Sequence, residues 1–118
     1  MLLGTCDGDT GRTGAGYVSA AAKPSRSASV VQLTLRGANH NYYNQTLVAQ
    51  RRDDSRGATG ACAKPKRLTG PAQEGFLRTV AVDHFVASML GATAAPWVTG
   101  PTSGKVYGQT VTFRRFRT

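Results

Sequence analysis

The sequence is poor in the residues that build covalent or metal-held scaffolds. Two cysteines, Cys6 and Cys62, are the whole supply. That is too few for a disulfide framework, and their separation excludes a CxxC redox pair. The two histidines, His40 and His84, add no close ligand pair. A zinc site from Cys6, His40, Cys62 and His84 would lack the usual close ligand pairs, so no zinc site is expected. No apolar run reaches the roughly 18 residues that a membrane-crossing helix requires. The opening "MLLGTCDGD" lacks a basic lead and meets Asp7 too early to read as a secretory signal, which leaves the location of this chain open. No segment repeats. Acidic residues are also scarce, 6 against 15 Lys and Arg, for a formal net charge of +9.

What remains is enough for one small domain: 118 residues, 40% of them apolar. The charge excess invites a nucleic-acid reading, because phosphates attract any strongly basic surface. The basic residues are nevertheless dispersed from Arg12 to Arg117, and only "KPKR" (64–67) and "RRFR" (114–117) form short clusters. A scattered excess reads as a solvated surface, which disfavours a nucleic-acid partner. The alternative is a small basic module that binds nucleic acid or another polyanion through residues such as Arg114, Arg115 and Arg117.

Along the chain, "MLLG" reads as the tail of a strand and "TCDGDTGRTG" as a loop. Alanine-rich "AGYVSAAAK" (15–23) predicts a short helix stopped by Pro24. "VVQLTLR" (30–36) is the best strand, with Val31, Leu33 and Leu35 alternating. A long polar stretch follows from Asn39 to Thr69, with "RRDDSRGATG" near its centre. Residues 71–90 predict a helix, with Pro71 in its first turn, Gln73 and Glu74 at the positive end of the dipole, and Gly91 closing it. Phe76, Leu77, Val80, Ala81, Phe85 and Met89 recur at helical spacing and are expected to face a core, with His84 packed or half exposed beside them. Beyond residue 95 lies a Gly/Pro-punctuated basic tail (96–118), in which "QTVTFRRF" alternates as one strand.

Strand, helix and strand over the first 36 residues make a βαβ unit, which joins parallel strands. Parallel strands end at one edge of the sheet, so the loops that leave them share a rim. Asp7 and Asp9 leave the first strand and His40 leaves the second. Neighbouring strands lie about 4.8 Å apart, so a carboxylate on one loop can reach an imidazole on the other if the strands are adjacent or nearly so. A carboxylate at one ring nitrogen fixes the tautomer and leaves proton transfer to the other. The bland reading is that these are ordinary turn residues.

"LLGTCDGD", "LRGANHNYYN" and the helix-opening "RLTGPAQ" together resemble the C-terminal part of a secreted bacterial α/β-hydrolase. The likeness is to the branch near the esterases, lipases, cutinase-like and platelet-activating-factor-acetylhydrolase-like enzymes, and it covers about Leu2 to Leu90. It implies an α/β fold holding the last core strands and helices of a parallel sheet. In that family the acid follows the penultimate core strand and the histidine the last. Carried across, His40 corresponds to the general base and Asp7 to the acid, with Asp9 as the substitute because "DGD" offers two carboxylates. Thr5, Cys6, Asn39 and Asn41 would shape the rim. The implied substrate of an intact parent is a carboxylic ester or lipid-like acyl compound.

The family's nucleophile is missing. None of the serines sits in a G-x-S-x-G elbow, and "TSG" at 102–104 has the wrong flanks. The expectation is therefore a fragment or truncated product that is inactive alone, because an acid and a base without a nucleophile form no acyl-enzyme. An unpaired sheet edge would favour self-association or pairing with a complementing fragment. Within the resemblance, Cys6 lies on the acid loop and Cys62 in the loop after the histidine. A bridge would tie the rim together in an oxidising compartment; two free thiols are the alternative. "NQT" (44–46) matches a glycosylation acceptor, a tripeptide that also arises by chance.

Overall fold

Residues 2–8, 13–22, 30–43, 60–63, 66–90 and 103–116 are described by the computed structural model of the chain. They form a mixed four-stranded sheet with helices, an α/β arrangement. The elements are β1 (Leu2–Gly4), α1 (Thr13–Ala22), β2 (Val30–Leu35), α2 (Gly70–Met89), β3 (Ser103–Val106) and β4 (Gln109–Phe116), in the sheet order β1-β2-β4-β3. Two single 3₁₀ turns, Asn41–Tyr43 and Gly60–Cys62, stand in the connection between β2 and α2.

β1 and β2 are adjacent and parallel, with Leu2 opposite Leu33 and Gly4 opposite Leu35. Parallel pairing stops there: β4 runs antiparallel to β2, with Leu33 opposite Phe113 and Leu35 opposite Val111, and β3 runs antiparallel to β4. For the β3–β4 pair the reason is local. Tyr107 and Gly108 both have positive φ (47° and 77°), as in the tight two-residue turns whose twist matches a hairpin. A side chain at positive φ is uncommon; here the Tyr107 hydroxyl donates to the Asp83 carboxylate on α2. That hydrogen bond, with smaller contributions from burial and the negative charge, holds the Tyr107 phenol proton above its ordinary range. "QTVTFRRF", the strand expected in the basic tail, is β4, and β3 adds a second.

Alternation on β2 and β4 turns Leu33, Leu35, Val111 and Phe113 to one face, where they bury with Ala38 and with Phe76 and Val80 of α2. α2 begins where its sequence allows. Thr69 takes an extended backbone (φ −70°, ψ 157°), its hydroxyl accepts from Ala72 N, and Pro71 stands in the first turn. Of the stripe expected to face the core, Phe76 and Val80 do so, while Phe85 and Met89 are 61% and 79% exposed. Helical geometry accounts for this. Nine positions at about 3.6 residues per turn is two and a half turns, which sets Phe85 opposite Phe76. His84 is exposed, its ring edge-on to that of Phe85.

Candidate functional site

The two parallel strands deliver their following loops to one rim, and hydrogen bonds then stitch those loops together. Thr5 N donates to Leu35 O (3.1 Å) and Cys6 N to Ala38 O (2.8 Å), carrying the ladder past the end of β1. In return, Gly37 N donates to Thr5 Oγ1 (2.9 Å). The two glycines of the "LLGTCDG" and "LRGANH" motifs make this approach feasible. A Cβ on Gly4 would overlap the carbonyl of Ala38, and Gly37 has φ 81° with Lys66 O and Leu68 N both 3.2 Å from where its Cβ would stand.

Asp7 and His40 meet at this rim. His40 Nδ1 lies 3.2 Å from Asp7 Oδ2, with the Asp7 side chain 5% exposed and the His40 side chain 47% exposed. An ionised carboxylate only accepts, so opposite an ionised Asp7 the proton of the contact belongs to Nδ1. The contact sets a buried carboxylate against a half-exposed ring. Asp9, the substitute acid, lies outside the described residues, as do Asn44–Thr46 of the glycosylation tripeptide and most of "RRDDSRGATG".

Cys6 and Cys62 form a disulfide (Cα–Cα 5.5 Å) across 56 positions of sequence. The bridge ties the residue before Asp7 to the chain leading into α2. Bonded to each other, the sulfurs offer no thiolate to a metal. The described residues hold no group of three or more His, Cys, Asp or Glu that could ligate one.

Of the residues expected to shape the rim, Thr5 and Cys6 make the bonds given above. Asn39 is 1% exposed, and its Oδ1 accepts from Tyr42 N (2.9 Å), capping the 3₁₀ turn that Asn41 begins. Gln73 was not foreseen in this setting. Its side chain is fully buried; Oε1 accepts from Asn39 N (3.0 Å) and Nε2 donates to Asn39 O (2.6 Å). The sequence holds a signal for it: Gln73, Phe76 and Val80 share one helical stripe, and a polar residue on a core stripe requires a buried partner.

Of the basic clusters, Lys66 and Arg114 are exposed, whereas Lys64 and Arg117 lie outside the described residues. Among those residues no helix is long and apolar enough to cross a membrane. Comparison of the chain with protein-family models, with curated proteins and with solved structures finds no match.

Proposed function

We propose that this chain carries the acid and the base of a serine ester hydrolase and belongs to the C-terminal part of an α/β-hydrolase domain. The observation that carries the reading is the Asp7–His40 pair, 3.2 Å apart on loops leaving two adjacent parallel strands. Acid before histidine agrees with the chain order of that fold. In the proposed reaction Asp7 keeps the His40 proton on Nδ1, and Nε2 takes the proton of a serine as it attacks an ester carbonyl. The same nitrogen then returns the proton to the departing alcohol. The serine comes from outside these 118 residues, which contain no G-x-S-x-G elbow. The substrate class is a carboxylic or lipid-like ester, and the chemistry calls for no metal or organic cofactor.

The test joins this chain to the segment encoded upstream of it and measures turnover of a small chromogenic ester. The joined protein is expected to hydrolyse the ester. His40→Ala should return it to background, and Asp7→Asn should lower kcat by about 10⁴-fold, the scale seen when a triad acid is neutralised. The 118-residue chain alone is expected to stay at background. Turnover by the short chain that disappears on His40→Ala would refute the division of labour. A joined protein indifferent to His40→Ala would refute the assignment itself.

A further inference from the structure

We infer that Gln73 is a positioning residue for His40, holding the imidazole in register with Asp7 by pinning the peptide immediately before it. The inference rests on the Asp–His reading above and assigns a part within that site to a side chain on a different element.

His40 is about half exposed, so the backbone that carries its ring matters to where the ring stands. That backbone is held. The carbonyl of Asn39 belongs to the peptide that carries His40 N, and Gln73 Nε2 donates to that carbonyl at 2.6 Å. The other end of the same amide, Oε1, accepts from Asn39 N at 3.0 Å. Residue 39 is thus gripped at both of its backbone groups by one planar head. On the far side of His40, Asn39 Oδ1 accepts from Tyr42 N at 2.9 Å. The histidine therefore stands between two fixed points.

Gln73 can act as an anchor because its own place is set. It lies in the first turn of α2, behind the Thr69 cap and Pro71, and its backbone N donates to Thr69 O at 3.0 Å. The side chain is fully buried and Asn39 is 1% exposed, so no water substitutes for either bond. The chemistry also selects the residue type. Gripping one N–H and one C=O takes an acceptor and a donor on a single head, which an amide has and an ionised carboxylate lacks. Glutamate would keep the bond to Asn39 N and lose the bond to Asn39 O; methionine would lose both.

The readout is the tautomer of His40, which a purely structural role for Gln73 would leave alone. In the ¹⁵N-histidine-labelled chain at alkaline pH, the ring-nitrogen shifts report which nitrogen bears the proton. His84 serves as the control within the same spectrum. The unmodified chain should show His40 protonated mainly at Nδ1, and Asp7→Asn should abolish that preference. Gln73→Met is expected to remove most of the Nδ1–H population while leaving His84 and the sheet amides unchanged. Asp7→Asn added to Gln73→Met should then change little further.

If Gln73→Met fails to fold, Gln73→Glu is near isosteric and should lose part of the same population. A His40 tautomer unchanged in whichever of these variants folds would overturn the inference, as would full retention of the Asp7→Asn effect in the Gln73→Met background. No substrate enters the experiment. The ester-hydrolase assignment and the role of Gln73 can therefore fail independently.

Discussion

At the scale of single residues, the rim depends on what two glycines leave out. Gly4 lies against the Ala38 carbonyl, the group that also accepts from Cys6 N, so a methyl there must push the acid loop and the histidine loop apart. Gly4→Ala is expected to destabilise the chain by roughly 1–3 kcal/mol, as overpacking of tight sites does, and to lengthen the Asp7–His40 contact. Gly75 is the control. A Cβ at that position in α2 meets nothing within 4 Å, so Gly75→Ala should gain roughly 0.5–1 kcal/mol of helix stability. Urea denaturation of both variants separates the two signs. Equal effects would mean that backbone freedom, and not the close approach, governs Gly4.

At the scale of elements, α2 carries apolar residues on two sides. Phe76 and Val80 bury in the core with residues of β2 and β4, while Val82, Phe85, Val86 and Met89, with Leu90 just past its end, are exposed. Phe76→Ala should cost about 3–5 kcal/mol by leaving a cavity, whereas Phe85→Ala should stay within roughly 0.5 kcal/mol. Thermal or urea unfolding of the two variants checks the contrast, and a large loss at Phe85 would place that ring inside the core.

The same helix shows what could be read from the sequence and what could not. Its existence, the Pro71 start and the Phe76–Val80 contact follow from spacing and capping chemistry, as β2 and β4 follow from alternation. Grouping Phe85 and Met89 with Phe76 followed apolar content without tracking the angle around the axis. β3 and the antiparallel half of the sheet were harder to foresee. Tyr107–Gly108 is not one of the Asn-Gly or Asp-Gly pairs that announce a tight turn, and its Asp83 partner comes from a distant helix. At the site, parallel strands brought the loops of Asp7 and His40 to one rim, and the family resemblance singled out those two residues. That the strands are adjacent is a fact of the fold. For Gln73 the stripe signals burial, but its partner Asn39 depends on how α2 docks, a tertiary fact that no short window contains.

At the scale of the whole molecule, the Cys6–Cys62 bridge fastens the acid loop to the approach to α2. Closing an interval of that length restricts the unfolded chain by about 4 kcal/mol on the loop-entropy account, a contribution that is large beside the stability of a small domain. Reduction, or Cys62→Ala, is therefore expected to lower the unfolding midpoint markedly. Asp7 should also lose its hold on the ring, which the His40 nitrogen shifts would register. Identical unfolding curves with and without reductant would show that the bridge is dispensable.

The strand order sets the two strands that lead to Asp7 and His40 at one side of the sheet. Asp7 and His40 both stand beyond β1 and β2, while β3, the opposite margin among the described strands, lies two strands from β2. At about 4.8 Å per strand, anything joining along β3 arrives roughly 15 Å from the imidazole, out of reach of a proton. Under the proposed function, a segment that brings the serine hydroxyl to His40 would join alongside Leu2–Gly4, the other margin of the described strands.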